Sequence, residues 1–166
     1  MKNKGFTLIE LVVVIVILGI LAVTAVPKFI NLKAEAQTST LQGIQAAMQS
    51  SSALVYGKSI VKGNHKEPFS LDNTVNIGDT IGGGELLVVY GYPIGVFSQF
   101  QRLLELDSVG DDSTYRYTTI GTNFTTFVIN FRKDVVPTSI NDDCIVVYTS
   151  ADDVGLSPTF KVNDCV

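Results

Sequence analysis

The chain has 166 residues, of which 46% are hydrophobic, and its formal net charge is −4. This length accommodates one compact domain of about 100–150 residues together with one further N-terminal element. Beyond the first five residues no lysine or arginine cluster occurs, which argues against nucleic acid as a partner. The acidic balance favours solubility and does not restrict the fold.

The first element along the chain is an apolar run long enough to cross a membrane. Residues 6–26 contain Glu10 as their single charged side chain. A helix of this length spans about 30 Å, the thickness of the hydrocarbon core of a bilayer. Lys2 and Lys4 precede the run. We therefore expect residues 1–5 to remain cytoplasmic and the residues after 27 to be translocated.

Two simple interpretations of this run remain open. It could be a secretory signal removed after Val23-Thr24-Ala25, or a plain membrane anchor. Neither accounts for Glu10, because a carboxylate within an apolar segment costs about 2.5–3.5 kcal/mol. A cut after Gly5 would give Phe6 a free α-amine one helical turn before Glu10. Glu10 of one chain could then neutralise the Phe6 amine of a neighbouring chain and set the register between their helices.

The order of residues around this cut resembles a known processing signal. Gly5-Phe6-Thr7-Leu8-Ile9-Glu10, followed by the apolar run, is similar to the prepilin signature of type IV pilins and type II secretion pseudopilins. The resemblance implies cleavage after Gly5 by a prepilin peptidase, N-methylation of Phe6 and an assembly role for Glu10. Gly19 and Pro27 also match family positions, although both residue types are common in ordinary membrane helices.

The resemblance also implies where the protein is found and what it contacts. The precursor would be a single-pass protein of the inner membrane, handled there by the type IV pilus assembly machinery. The mature chain would then form a helical homopolymer outside the cell. Its expected partners are therefore other copies of itself, the peptidase and the assembly machinery.

Helix periodicity continues past Pro27, which should kink the helix because proline removes a backbone hydrogen bond. Apolar residues recur at spacings near multiples of 3.5, at Ile30, Ala34, Leu41, Ile44, Met48 and Val55. The helix is expected to end near Gly57 or Lys58. The chain then divides into a leader (1–5), a transmembrane and assembly helix (6–26), an amphipathic half-helix (27–58) and a globular head (59–166).

The head has the pattern of a small α+β domain. Residues 71–95 are expected to form a loop leading into the sheet, and residues 96–106 a short helix. Alternating side chains then predict strands around residues 115–117, 127–131, 144–149 and 159–162. The predicted fold is a long N-terminal helix packed on an antiparallel sheet of three to five strands. This is the fold that the pilin resemblance implies.

The only cysteines are Cys144 and Cys165. They form no CxxC motif and have no histidine nearby in sequence, which argues against a zinc site. If the head is exported, a disulfide between them is expected, with a stabilisation of about 3 kcal/mol from loop entropy. Two unpaired thiols in a cytoplasmic domain are the alternative.

Candidate catalytic residues are sparse. His65 is the only histidine, and it is expected to be a solvated loop residue. Three acidic pairs, Asp111-Asp112, Asp142-Asp143 and Asp152-Asp153, fall in predicted turns and could offer oxygen ligands to calcium. Their spacing does not match an EF-hand loop. We therefore expect a protein that is not an enzyme and that has no metal and no cofactor.

Three further stretches make the resemblance to type IV pilins more specific. They are Pro27-Lys28-Phe29-Ile30-Asn31-Leu32, Thr40-Leu41-Gln42-Gly43 and Ala53-Leu54-Val55-Tyr56. These stretches are similar to the major pilins of mannose-sensitive haemagglutinin pili, with the closest likeness over about residues 5–60. The likeness implies a role in cell adhesion, surface attachment and biofilm formation, with a surface carbohydrate as a further partner. The alternative is a type II secretion pseudopilin, which would have a calcium-binding C-terminal loop and no C-terminal disulfide.

Overall fold

The structure is a computed structural model that describes residues 5–79, 81–104, 106–107, 110, 112–120 and 125–166. It consists of one long helix and two small antiparallel sheets. The helices are α1 (Leu8–Lys62) and the single turn α2 (Phe97–Phe100). The strands are β1 (Thr74–Asn76), β2 (Glu85–Val89), β3 (Tyr92–Pro93), β4 (Tyr115–Thr119), β5 (Thr126–Phe131), β6 (Ile145–Thr149) and β7 (Thr159–Asn163).

Helix α1 is longer than predicted. It continues through Pro27 and through the expected end at Gly57 or Lys58, and it stops only at Lys62. Gly63 ends it in the left-handed conformation (φ 84°), with its N–H donated to the carbonyl oxygens of Ser59 and Ile60. Only glycine adopts this conformation without strain, so Gly63 is the effective stop signal.

The amphipathic half of α1 packs against the head as its periodicity predicts. Leu41, Ile44, Met48 and Val55 are all buried. Ala34 is partly buried against the same core, and the side chain of Ile30 is outside the described set. The main core joins α1 to α2 and the second sheet through Phe100, Phe127, Ile129, Val146 and Tyr148. A smaller cluster joins Val55 to the first sheet.

The first sheet has the order β1-β2-β3 and lies where a loop was predicted. That prediction is wrong because residues 74–76 and 85–89 pair in antiparallel register, with Val75 opposite Leu86. The glycine-rich stretch forms a 3-10 turn (Ile81–Gly84) that connects the two strands. The predicted helix over residues 96–106 is also too long, because only Phe97–Phe100 is helical.

The second sheet has the order β4-β5-β6-β7, and all neighbouring strands are antiparallel. It confirms the predicted α+β class and the four predicted strands. Phe127 and Ile129 on β5 face the main core, whereas Val128 packs with Ile145 and Val147 in a separate cluster. The central strands are therefore buried on both faces.

Two lysines of α1 lie along the outer edge of β1. Lys58 Nζ donates to the carbonyl oxygen of Asn76 at 3.1 Å, and Lys62 Nζ donates to that of Thr74 at 2.8 Å. The lysines are four residues apart on the helix, and the carbonyls are two residues apart on the strand. Both separations correspond to about 6–7 Å, so the spacing of the two lysines along the helix matches the spacing of the two carbonyl oxygens along the strand.

A disulfide joins Cys144, which immediately precedes β6, to Cys165 in the tail after β7. This bond confirms the predicted pairing. The N–H of Cys165 also donates to Thr38 Oγ1 on α1 at 2.9 Å. The tail is therefore fixed both to the sheet and to the helix.

Candidate assembly site on the first half of helix α1

The first half of α1 has no packing partner among the residues that the structure describes. Among residues 8–29, all of which are described, every residue is exposed except Ala25, which is partly buried. This part of the helix contains an 18-residue window of mean hydropathy 3.0 with no residue buried, so its length and composition suffice to cross a membrane. A long exposed apolar surface of this kind requires either lipid or other protein chains around it.

Glu10 lies in the first turn of α1, and its carboxylate is engaged by Thr7. The backbone N–H of Thr7 donates to Glu10 Oε2 at 2.8 Å, and Thr7 Oγ1 donates to the same oxygen at 2.7 Å. In return, Thr7 Oγ1 accepts from the Glu10 N–H at 3.3 Å. This reciprocal arrangement is a capping box, with Thr7 as the N-cap.

The capping box gives Glu10 a partner that the sequence analysis did not name. Thr7 already satisfies one of its two oxygens in the uncut chain. From the residues that the structure describes, no hydrogen bond reaches the other oxygen, Oε1. The sequence contained this signal, because Thr-x-x-Glu before an apolar run is the pattern of a capping box.

The other predicted assembly residues are spread along the helix. Gly5 and Phe6 lie before its first turn in an exposed, non-helical segment, close to Glu10. Gly19 lies about 14 Å beyond Glu10 along the helix axis, and the space that a side chain would occupy there is open. Pro27 lies about 12 Å beyond Gly19, within the uninterrupted helix. The structure therefore places Phe6 and Glu10 on one surface, with Gly5 next to Phe6 in the chain, and it brings neither Gly19 nor Pro27 to them.

His65 is not a solvated residue, contrary to the prediction. It is half-buried, and its ring lies edge-on to Tyr56 with centroids 6.2 Å apart. Its Nδ1 is buried and has no hydrogen-bond partner among the described residues. The ring therefore packs against the end of α1 instead of extending into solvent.

The acidic pairs act as turn residues where they are described. Asp142 accepts from the backbone N–H groups of Thr138 and Ser139, at 2.7 and 3.0 Å, and these bonds lower the pKa of its carboxyl group. Asp153 accepts from the N–H of Val154 at 2.7 Å. Asp111 lies outside the described residues. Within the described part of the chain, no three metal-ligating side chains come together.

Comparison with known proteins agrees with this geometry. Residues 1–26 match the family described as the prokaryotic N-terminal methylation motif. The chain is 48% identical over 54 residues to the type IV narrow pilus major component PilA5 of Thermus thermophilus. That match covers 32% of this chain and 47% of that protein. It is 53% identical over 38 residues to the type IV major pilin protein PilA of Myxococcus xanthus. That match covers 23% of this chain and 17% of that protein.

A third relative is the type IV major alpha-pilin of Moraxella bovis, 45% identical over 61 residues, covering 36% of this chain and 38% of that protein. The chain thus spans less than half the length of each of these relatives. No solved structure matches it. The relatives are structural pilins and not enzymes, and together with the methylation motif they support a type IV pilin.

Proposed function

We propose that this chain is a major pilin, the structural subunit of a type IV pilus of the mannose-sensitive haemagglutinin type. One observation carries the proposal. The first half of α1 is apolar and has no buried residue, whereas Leu41, Ile44, Met48 and Val55 of its second half pack into the cores of the head. A chain built in this way has a membrane-spanning precursor stage and then exchanges lipid for the helices of other copies.

The proposed pathway begins with a cut between Gly5 and Phe6 by a prepilin peptidase and N-methylation of Phe6. The leader is then residues 1–5, the assembly helix residues 6–26, and the remaining helix and head face outward. The assembly machinery of the inner membrane would move the mature chain into an extracellular filament. The filament would serve adhesion, surface attachment and biofilm formation, with a surface carbohydrate as a further partner.

The geometry of Glu10 suggests how two chains would meet. Thr7 binds Oε2 of the exposed Glu10 side chain, and no hydrogen bond from the described residues reaches Oε1. The α-amine of Phe6 on an incoming chain could reach Oε1, forming a charge-assisted hydrogen bond in an apolar surrounding. Each charge would otherwise be costly there, so the pair would form only at the correct axial register. Gly19 would permit close approach of a neighbouring helix, and Pro27 would make the adjacent backbone easier to deform.

The pairing is tested with Glu10→Val. We expect this variant to insert into the membrane at the wild-type level but to give few filaments, as measured by immunoblotting of membranes and electron microscopy of material sheared from cells. Glu35→Val is the matched control, because Glu35 is exposed on the second half of the same helix. Wild-type numbers of filaments from the Glu10→Val strain would contradict the pairing.

The cut is tested by mass spectrometry. Sheared filaments should contain a chain with the mass of residues 6–166 plus one methyl group, with the disulfide intact. Gly5→Leu should abolish cleavage and leave the full-length chain in the membrane. Recovery of a chain that begins after Ala25 would instead establish an ordinary secretory signal.

A type II secretion pseudopilin shares the same N-terminal signature and is the second candidate. The observed Cys144–Cys165 disulfide favours a pilus, because the pseudopilin alternative calls for a C-terminal region without one. Abundant long fibres on cells expressing the chain at its native level would support the pilus. Their absence, with loss of protein secretion when the chain is deleted, would support the pseudopilin.

A further inference from the structure

A groove with a basic lining follows the exposed face of α1 beside β1, and we call it the upper groove. Its volume is about 460 Å³. Leu54 and Val61 line it and are 71% and 90% exposed, so no described part of the head covers them. Its charged lining residues are Lys58 and Lys62. Lys62 is 3.6 Å from Glu85, whereas Lys58 has no ion-pair partner among the described residues.

A second groove lies at the opposite end of the packed half of α1, and we call it the lower groove. Its volume is about 640 Å³, and it lies between α1 near Gln37 and the connection from β5 to β6. Val135 and Val166 line it and are 90% and 97% exposed. Neither belongs to a core cluster of the described residues. The lower groove thus also presents apolar side chains that the head leaves uncovered.

The lower groove has an acidic lining. Its described charged residues are one lysine and three aspartates, which leaves a net charge of −2: Lys33, Asp134, Asp142 and Asp143. The side chains of Asp134 and Asp143 are exposed, and their carboxylates have no ion-pair partner within the described part of the chain. The lower groove therefore suits a partner surface that is both apolar and basic.

The upper groove is a surface of that kind. Opposite charges favour contact between an upper and a lower groove, whereas two upper or two lower grooves would repel each other. Gln37 and Leu54 are 17 residues apart, which separates the two grooves by at least about 25 Å along α1. One chain therefore cannot bring its own two grooves together, and the complementary surface belongs to another copy.

We propose that the lower groove of one copy docks onto the upper groove of a second copy. The exposed valines of the lower groove pack against Leu54 and Val61, and Asp134 lies against Lys58. Chains that enter from one membrane have parallel helices, so the second copy is shifted along the helix axis by about 30–35 Å. The inference rests on the proposed function, because the filament supplies the neighbouring copies.

The contact joins two different surfaces of the chain, so each copy uses its upper groove for one neighbour and its lower groove for another. Such a heterologous contact continues from copy to copy unless the rotation closes a ring. It is made by side chains of α1, of the β5–β6 connection and of the tail. The strands of adjacent heads therefore need not pair with one another.

The first experiment cross-links filaments through introduced cysteines. The two natural cysteines form a disulfide, so a maleimide reacts only with an introduced thiol. Sheared filaments of the Val61→Cys, Val135→Cys double variant are treated with a short bis-maleimide. We expect a ladder of covalent multimers, because each copy links to one neighbour through each groove. Filaments with either single substitution should give no multimers.

The matched control combines Val61→Cys with Val154→Cys. Val154 is 49% exposed in the connection between β6 and β7 and is not among the residues that line either groove. This control should give no ladder. Leu54→Cys with Val166→Cys provides a second test pair if the first double variant does not assemble.

Charge reversal tests the ionic part of the contact. Lys58→Glu and Asp134→Lys each place like charges across it, and each should lower the amount of sheared filament about tenfold. The variant with both substitutions restores opposite charges and should recover most of the filament. Lys66→Glu is the matched control, because Lys66 is exposed just beyond the same helix and is not among the residues that line either groove.

The urea midpoint shows whether each variant is folded. Lys58→Glu also removes the hydrogen bond to the Asn76 carbonyl, so Asp134→Lys carries the test if Lys58→Glu lowers the midpoint. Recovery of filament in the double variant supports the contact, because a merely structural role of either residue would not be rescued by the other substitution.

The outcomes separate this contact from the proposed pilus. Filaments of normal appearance from both double-cysteine test pairs, without a ladder, overturn the contact and leave the pilus intact. A ladder of equal strength in the Val154→Cys control overturns the contact as well. A cross-linked product that joins this chain to a different protein overturns the second copy as the occupant. Absence of any filament from the natural chain overturns both proposals.

Discussion

Gln45 on α1 donates its side-chain amide to the carbonyl oxygen of Phe160 on β7, at 3.1 Å and across 115 positions of sequence. Seven residues earlier on the same face, Thr38 accepts from the N–H of Cys165. Helix residues seven apart lie almost above one another, with a drift of about 20° per heptad. A line of polar side chains thus follows the apolar stripe of α1 and binds backbone groups of the head.

The same line continues to Ser52 and Ser59. Ser59 Oγ donates to the carbonyl oxygen of Gly91 at 3.1 Å, and both groups are buried. Ser52 is equally buried, but its Oγ has no hydrogen-bond partner among the described residues. The two serines therefore occupy equivalent helix positions with opposite hydrogen-bonding states.

This difference predicts opposite effects of one substitution. Ser59→Ala leaves the Gly91 carbonyl without its donor and should lower the free energy of unfolding by about 1–2 kcal/mol. Ser52→Ala removes an unpaired buried hydroxyl and should raise it by about 1 kcal/mol. Urea unfolding of the full chain in mild detergent measures both. A loss of stability in Ser52→Ala equal to that in Ser59→Ala would contradict the assignment.

Gly63 and Gly43 give a second matched pair. Gly63 ends α1 at φ 84°, so Gly63→Ala should lower the free energy of unfolding by about 1–2 kcal/mol through backbone strain alone. No atom lies within 4 Å of a Cβ at either glycine. Gly43 is within the helix, where alanine is favoured over glycine by about 1 kcal/mol. Gly43→Ala should therefore raise the urea midpoint of the monomer while Gly63→Ala lowers it.

Loss of the Cys144–Cys165 disulfide should weaken the sheet and the tail together. The bond closes a loop with a sequence separation of 21, for which loop entropy gives about 3 kcal/mol. The double substitution to alanine and chemical reduction of the natural chain should lower the urea midpoint by similar amounts. A midpoint unchanged by either treatment would show that the Thr38 contact suffices to hold the tail.

Tyr148 predicts a loss of stability at alkaline pH. Its phenol is buried and donates to the carbonyl oxygen of Pro93 at 2.6 Å. Burial, and then the neighbouring Tyr92, raise the pKa of Tyr148 far above its ordinary value. Because the folded pKa exceeds the unfolded value of about 10, the stabilisation is complete below pH 10 and is lost as pH rises further.

Comparison of urea midpoints near pH 8 and pH 11 tests this dependence. Tyr148→Phe should cost about 1–2 kcal/mol at pH 8, because the Pro93 carbonyl loses its donor. The variant should also show a smaller decrease at pH 11. A decrease remains because burial also raises the pKa of Tyr115. An identical alkaline decrease in both chains would exclude Tyr148 as its source.

Elements with enough residues to show a period were predictable from sequence. The stripe of α1 repeats over several turns, so its buried face is predicted correctly, and the apolar runs of five or six residues place β5 and β6 as strands, each buried on both faces. Strands β1 and β3 have only three and two residues, too few to alternate. Their positions depend on pairing with β2, which a local pattern does not reveal.

In the candidate site, too, features set by local sequence were predictable, whereas features that depend on distant contacts were not. Gly5, Phe6 and Glu10 form a local signature, so the sequence alone indicates them. The capping box of Thr7 and Glu10 is also local and was available from the spacing. In contrast, Gln45 and Thr38 bind groups 115 and 127 positions away. Nothing near these two side chains in sequence identifies their partners, so their roles depended on the fold.

The lysines along β1 have a consequence for a crowded filament. The Thr74 and Asn76 carbonyls lie on the side of β1 away from β2, where the lysines bind them, and Asn64 Nδ2 also donates to the Thr74 carbonyl at 2.8 Å. Without these donors the carbonyls would offer an open strand edge. Heads held side by side at high local concentration could then add strands to one another and form cross-β aggregates. Lys58 and Lys62 close that edge from within the same chain. In the proposed filament, polymerisation would thereby be left to the helices, and the sheets of neighbouring heads would remain separate.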